Sequence, residues 1–414
     1  MRSASRTSER GLDWFTFFVA DIQTGFGPFL AIYLTTQKWN QADIGLVLAA
    51  GSIAGLVSQL PGGWLVDMAP SKRRAAMLAV AGIGLSALMI ALWPSFLGIM
   101  AAKLLHVASS SVLGPAIAAI TLGLVGHAAV GPRFGRNAQF SSIGNGLAAG
   151  VMGAVGYLIS PQAVFFVTAA LVLPTLLALT HIREEEVDPI RADGGFNGAR
   201  PGHAPGSIAL LLRKRSLLIL TLCIFLFHAA NAAMLPLVGT EMTVRSGAWA
   251  TAFIAACIVL PQLVVAVIAP TIGRLAVTIG RRPILILGFA ALPVRAAVLA
   301  LNSDPAVIIA VQLLDGLCAA VLGVLVPLSL ADISRGTGRF NLAQGIVGSA
   351  TGIGAAVSTT VAGYLAARFG APLAFAGLAI TAVCALLAVL LAMPETRPDL
   401  NQPSADERNS SEPD

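Results

Sequence analysis

Long apolar stretches alternate along this chain with short polar segments. Each stretch is long enough for one membrane crossing, which takes about 20 residues. Their limits predict twelve helices, at 12–36, 42–66, 75–92, 96–126, 138–160, 162–181, 216–240, 247–273, 283–301, 305–333, 341–367 and 371–393. The first run follows MRSASRTSERGLDWF and contains Asp21. No small-residue cleavage site closes a short apolar core, so it reads as an uncleaved first span and not a removed signal peptide.

Composition supports the same picture. A length of 414 residues suggests two or three soluble domains, but only 11% of them are charged, against about 25% in a soluble protein. The hydrophobic class is 56% and the mean hydropathy is +0.82, so the solvent of this fold is a lipid bilayer. Cys223, Cys257, Cys318 and Cys384 lie in apolar runs without paired spacing and read as small buried hydrophobes.

The net charge of +6 is a topology signal. Twenty-one Lys and Arg residues fall in the two tails and in the connections after even-numbered spans, against three (Lys38, Arg245 and Arg368) on the other side. This positive-inside bias predicts cytoplasmic termini in a bacterial-type inner membrane and argues against a nucleic-acid role. Trp14, Trp39, Trp93 and Trp249 sit near predicted interfaces and read as anchors.

The two halves of the chain echo each other. KLLHVASSSVLG at 103–114 aligns with QLLDGLCAAVLG at 312–323, Pro28 with Pro236, and GYL at 156–158 with GYL at 363–365, all near an offset of 207. A duplicated six-span unit puts both halves in one orientation, with a substrate site near the midplane between them. The expected organisation is an all-α integral membrane protein: a bundle at 1–181, a cytoplasmic linker at 182–215, a second bundle at 216–393 and a disordered tail at 394–414. The linker contains an acidic run, REEEVD, and a Gly/Pro-rich stretch, and reads as solvated.

After span two stand Gly63, Leu65 and Asp67, followed by Lys72, Arg73 and Arg74. This segment resembles the loop signature of the major facilitator superfamily of secondary transporters, Gly-x-Leu-x-Asp-Arg-x-Gly-Arg-Lys, with Pro70 and Ser71 departing from it. The second half carries Gly273, Arg274 and Leu275, then Gly280, Arg281 and Arg282, with Val277 where the aspartate would stand. The resemblance covers essentially the whole chain and implies two six-helix bundles working by alternating access. It gives Asp67, Lys72, Arg73, Arg281 and Arg282 a gating role, with plain positive-inside residues as the competing reading of the arginines. Asp332, at the same end of span ten, is a candidate latch for the second half.

Ionisable groups inside a membrane are costly and usually face a cavity. Here they are Asp21 in span one, Lys103 and His106 in span four, His228 in span seven, Arg295 in span nine and Asp315 in span ten. The repeat sets His106 opposite Asp315 and His228 beside the counterpart of Asp21. In the family, spans one, four, seven and ten line the central cavity. Asp21, followed by Gly25, Gly27 and Pro28, is the first candidate for proton coupling; a static pair with Lys103 or Arg295 is the alternative. Asp315, with Gln312 one turn earlier, is the second candidate. His228 and Asn231 offer hydrogen bonds at the midplane, and Arg295, six residues from the end of its span, is placed to snorkel. The family's fourth-span pattern of arginine, glutamine and glycine is replaced by Lys103, His106 and Val107. Span five carries Gly144, Gly146, Gly150, Gly153 and Gly156, which read as helix-packing positions. It lacks the proline of the family's antiporter signature.

No phosphate loop, HExxH, CxxC or Gly-x-Ser-x-Gly motif is present, so neither an ATP-driven pump nor an enzyme is expected, and no cofactor or metal is called for. The expected function is proton-coupled movement of a small molecule across the bilayer by a monomer, leaning to efflux of drug-like or metabolite substrates. Uptake of a metabolite, for which an anion would suit Lys103 and Arg295, is the first rival. A non-transporting receptor or scaffold is the second.

Overall fold

The computed structural model describes residues 4–24, 26, 28–195, 208–246 and 250–397. Gly25, Gly27, the linker stretch 196–207, Trp249 and the tail beyond 397 lie outside the described residues. Among the described residues the regular elements are all helical: α1 (Arg6–Thr24), α2 (Pro28–Thr36), α3 (Gln41–Met68), α4 (Lys72–Leu92), α5 (Phe96–Leu158), α6 (Ala163–Thr180), α7 (Pro189–Ala192), α8 (Ile208–Leu212), α9 (Arg215–Asn231), α10 (Met234–Ser246), α11 (Ala250–Thr278), α12 (Arg282–Leu301), α13 (Pro305–Ile333), α14 (Phe340–Phe369) and α15 (Ala371–Ala392). A single turn of 3₁₀ helix at Glu184–Glu186 precedes α7.

Among the described residues, ten helical stretches are long and apolar enough to cross a membrane. One of them, α5, is two crossings joined at Gly126, whose φ of 67° and ψ of 174° reverse the chain. Together with α1 and α2 they make the twelve-span architecture read from the sequence. The expected loop at 127–137 is instead helical, because a glycine in the left-handed region makes the whole turn by itself. Spans one and seven are both broken. α1 ends at Thr24 and α9 at Asn231, an offset of 207, so the break itself is duplicated. In a membrane such interruptions survive only where protein satisfies the freed backbone. At the second break the amide of Ala233 donates to Ser358 Oγ of α14 at 3.1 Å.

Helix starts follow ordinary capping chemistry: Asn40, Ser71, Ser95 and Asp304 each accept from a backbone amide two or three residues ahead. Two apolar cores result. Leu12, Phe15, Ile83 and Phe165 belong to one, built mainly from α1–α6; Phe227, Phe289, Leu325 and Phe340 belong to the other, built mainly from α9–α15 and joined by Leu122, Val130 and Phe134 of α5. Three of the four cysteines are buried as expected, and Cys384 is exposed. Trp14 and Trp93 are exposed and Trp39 stacks on Phe96, as membrane-interface residues do.

The linker differs from the solvated segment expected. Glu186 accepts from the amide and hydroxyl of Ser5, the Asp188 amide donates to the Gly123 carbonyl, and Ala192 is buried. Residues 182–195 thus pack against both bundles on the face that carries the basic connections. The C-terminal end of α15 returns to the same face, where Glu395 accepts from the amides of Arg281 and Arg282.

Candidate functional site

The bundles meet on the basic face. Asp67, at the end of α3, reaches across to the first turn of α14. Its Oδ1 accepts from the Asn341 amide at 3.0 Å and from Asn341 Nδ2 at 2.9 Å, and its Oδ2 accepts from the Leu342 amide at 2.9 Å. A carboxylate at a helix N-terminus satisfies orphan amides and complements the helix dipole, so one side chain caps a helix of the opposite bundle. Gly63, one turn earlier, lets the Asn341 backbone approach closer than any Cβ would allow.

Lys72 completes this corner. Its ammonium donates to the carbonyls of Val66 and Ala69 at 2.7 and 2.9 Å and pairs with Asp193 at 2.7 Å. Asp193 in turn accepts the Phe340 amide through its carbonyl, and the Gly194 carbonyl accepts the Gly336 amide at 2.6 Å. A segment of the linker is therefore wedged between the bundles. Burial pushes the Asp193 carboxyl up to about 7 and nearby Asp67 adds to the rise, against the opposing pull of Lys72 and Arg339.

The second-half counterpart is built differently. Val277 replaces the aspartate, and contact is made by small residues: Gly131 of α5 lies against the Gly273 carbonyl, and Gly135 against Ala269 and Pro270 of α11. Arg281 pairs with Asp332 at 3.0 Å and donates to the Ala276 carbonyl at 2.7 Å. Asp332 therefore braces α12 and α13 within one bundle and is not a latch between bundles. Arg73 donates to the Ile182 carbonyl and Arg282 to the Leu390 carbonyl, each within its own half. Gly280 takes a φ of 102°, the left-handed conformation that turns the chain into α12.

Above this contact lies a cavity of about 450 Å³ between the bundles. Its polar lining is neutral: Thr16, Gln23, Asn137, Ser142, Asn145, Gln262 and Gln344, interleaved with Val19, Ile117, Phe134 and Val265. Ser142 donates across the bundles to Gln262, 2.6 Å from the side-chain oxygen, and Gln139 donates to the Ala266 carbonyl at 2.8 Å. Away from the basic face the contacts stop. Gly150 and Gly153 of α5 have no atom within 4 Å of where a Cβ would stand. The described state is closed on the basic face and parted toward the opposite one. Of the span-five glycines, Gly144 and Gly156 are packing positions, while Gly150 and Gly153 are not in this state.

None of the ionisable candidates is among the described lining residues of that cavity. Asp21 lies next to the lining residue Ala20, turned against Gly144, buried, with Oδ1 lacking a hydrogen-bond partner among the described residues. It pairs with neither Lys103 nor Arg295. Lys103 lies half-buried with its side chain against Gly51 of α3. His106 stacks on Phe26 with centroids 3.7 Å apart and is not brought against Asp315. Its Nδ1 is buried without a partner among the described residues.

Four candidates do converge, in the second bundle. Arg295 donates to Asp315 at 2.6 Å, to Gln312 at 2.9 Å and to Asn231. At 1% exposure Arg295 does not snorkel; its partners on α9 and α13 draw it inward. His228 is apart from this cluster, its Nδ1 on the Ile224 carbonyl of its own helix at 3.0 Å.

Sequence reasoning missed a further cluster and most of the cavity wall. Buried Asp13 takes Arg133 at 2.6 Å and Arg136 at 2.7 Å, while Asn137 links Arg133 to Thr121. By position in the sequence Arg133 and Arg136 are charges of the connection after span four. Gln23, Gln262 and Asn145 are amides inside spans; a search for polar side chains, not only titratable ones, would have found them.

Two bundles that clasp on one face and part on the other around a polar cavity are the architecture of a membrane carrier. The chain belongs to the Major Facilitator Superfamily, whose family model matches residues 14–269 and again 217–412, two matches that overlap and together span most of the chain. Two relatives from Mycobacterium tuberculosis, strains CDC 1551 and H37Rv, are each described as an uncharacterized MFS-type transporter. Each is 41% identical over 392 residues, covering 94% of this chain and 93% of the relative. Among solved structures, the proton:xylose symporter XylE bound to 6-bromo-6-deoxy-D-glucose is similar with a TM-score of 0.71 at 15% identity, covering 94% of this chain and 95% of that one. The human organic anion transporter MFSD10 (TETRAN) is similar with a TM-score of 0.67 at 16% identity, covering 92% and 98%. At such identities the likeness to solved structures concerns the fold. The protein is an MFS-type secondary transporter of a membrane.

Proposed function

We propose that this transporter couples proton movement to export of a small, drug-like or metabolite molecule, with Asp21 as the proton-carrying group. The observation that carries the reading is a buried carboxyl whose Oδ1 has no hydrogen-bond partner among the described residues, one residue from the cavity wall and packed against Gly144 of α5, the helix that meets α11 of the other bundle. A carboxyl so placed binds or loses its proton as the bundles rock and water reaches it or is excluded. The neutral amide and hydroxyl lining suits an uncharged or weakly polar cargo held by hydrogen bonds and apolar contact. Residues of both bundles of one chain line the cavity, which supports a monomer as the working unit. The basic face is assigned to the cytoplasm of a bacterial-type inner membrane by the positive-inside bias, and the described state then faces outward.

A second reading, uptake of an anionic metabolite, rests on Lys103, half-buried without an ion-pair partner among the described residues. A thermal-shift screen at two pH values supplies a ligand, and proteoliposomes separate the readings. In the proposed scheme an imposed pH gradient drives accumulation, and Asp21→Asn abolishes that accumulation while leaving counterflow exchange intact. Accumulation by Asp21→Asn equal to that of the unsubstituted protein would refute the proton role. Loss of anion uptake in Lys103→Gln, with neutral ligands untouched, would favour the second reading.

A further inference from the structure

A groove of about 500 Å³ opens on the outer surface of the first bundle, between α1 and α6, away from the transport cavity. On α1 it is lined by Arg6, Arg10, Trp14 and Phe18, four residues spaced by four and so stacked on one helix face. On α6 it is lined by Pro174, Leu177 and His181. The helices run antiparallel, α1 starting at the basic face and α6 ending there. Both therefore grade in the same direction, from nitrogen-bearing side chains at the basic face to apolar ones toward the membrane centre. Gly11 sets the floor: a Cβ there would stand 3.0 Å from His181 Cβ, so the helices touch and their larger side chains splay outward around the groove.

The cations at its mouth are uncommitted. Arg6 and Arg10 are exposed and have no hydrogen-bond or ion-pair partner among the described residues. Neighbouring acids have other partners: Glu186 accepts from Ser5 and pairs with Arg183 at 3.6 Å, while Asp13 binds Arg133 and Arg136 and Glu9 acts on the same two arginines. His181 bonds the Leu177 carbonyl through Nδ1, which leaves its Nε2 edge to the groove. Trp14, 50% exposed and stacked on Phe18 at 5.9 Å, forms an apolar wall with Leu177, 61% exposed.

We infer that this groove is a binding site for an anionic phospholipid of the leaflet on the basic face. The phosphodiester lies between Arg6, Arg10 and His181, and one acyl chain runs along Trp14, Phe18 and Leu177. Arginine suits the headgroup because its planar fork donates two bonds to phosphate oxygens. Basic pockets between spans at the inner headgroup level have the chemistry that selects acidic lipids. The inference is independent of the cargo, its direction and the proton role of Asp21.

Trp14 is a built-in reporter. The full-length protein is reconstituted with phosphatidylglycerol or phosphatidylcholine carrying dibrominated acyl chains, and Trp14 quenching is obtained by subtracting a Trp14→Phe sample. Phosphatidylglycerol is expected to quench at several-fold lower mole fraction than phosphatidylcholine, about fivefold for each arginine engaged. Arg6→Gln/Arg10→Gln should abolish that preference while quenching by phosphatidylcholine stays unchanged, which also reports an intact fold. Arg6→Lys/Arg10→Lys should retain most of it. Equal quenching by the two lipids, or a preference that survives the double glutamine variant, overturns the site.

Discussion

Asp67 shows how much one side chain can do in this molecule. Its carboxylate belongs to α3 but caps α14, so it stabilises only the arrangement in which the two bundles meet on the basic face. A lost cap costs about 1 kcal/mol. Asp67→Ala should therefore shift the population about fivefold toward the oppositely open state. Labelling of a cysteine placed at Ser141 on the cavity wall, by a maleimide added from the basic face, should rise accordingly; unchanged labelling would contradict the assignment. Arg295 makes a different prediction. Removing one partner of a buried pair costs about 3–5 kcal/mol, whereas replacing both by apolar groups costs much less. Arg295→Leu should lower thermal stability markedly, and Arg295→Leu/Asp315→Leu should recover most of the loss. The sequence marked both residues, and its loop signature pointed at Asp67. It could not show that Asn231, Gln312 and Asp315 converge on one guanidinium, because that meeting depends on how three helices rotate about their axes. Placed by span depth alone, Arg295 read as a snorkelling residue.

At the scale of elements, the linker is the departure from expectation with the most consequence. Composition alone made 182–215 a solvated tether, yet Asp193 and Gly194 sit in the seam between α3 and the start of α14. Asp193 binds its proton with a pKa of about 7 in this clasp and near the ordinary 3.8 when released to water. The clasped state therefore holds more protons between these limits, and its stability falls as pH rises from about 4 to about 7, then levels off. Hydrogen-exchange protection of the Gly336 and Phe340 amides, corrected for the intrinsic rate, should decline over that window. Asp193→Asn, which keeps the group neutral, should flatten the dependence; an unchanged slope would show that another group governs the seam. The acidic run was visible in the sequence, but its docking was not, since contact with Gly123 and Ser5 requires the folded bundles. The hairpin at Gly126 escaped notice for a related reason: one glycine did the work of an expected loop.

For the whole molecule, the sequence was most informative. Apolar runs, a basic-side bias and a duplicated offset of 207 lead directly to two like bundles, because a bilayer permits so few ways to satisfy a backbone. The chemistry of the cavity was far less legible. Which side of each helix faces its partner bundle is set by packing, and the wall is made of uncharged amides that stand out little from their neighbours. The glycines of α5 make the rocking motion testable. Gly131 and Gly135 fill the closed contact with α11, whereas Gly150 faces open space, one turn beyond Gly146, which lies beside Gln262. Gly273→Leu should wedge the basic face apart, and Gly150→Leu should leave the described state intact while blocking closure of the other face. Opposite shifts in cysteine accessibility from the two sides are expected. Shifts of the same sign would mean that the bundles do not pivot about this contact.

The proton role of Asp21 is tested most directly by counting protons as a ligand binds. In weakly buffered detergent solution with a pH-sensitive dye, the purified protein should release about one proton per ligand bound if substrate and proton exchange for one another, as efflux requires. Asp21→Asn should bind the same ligand and release none. Release that persists undiminished in Asp21→Asn, or binding without any proton change in the unsubstituted protein, would contradict the account.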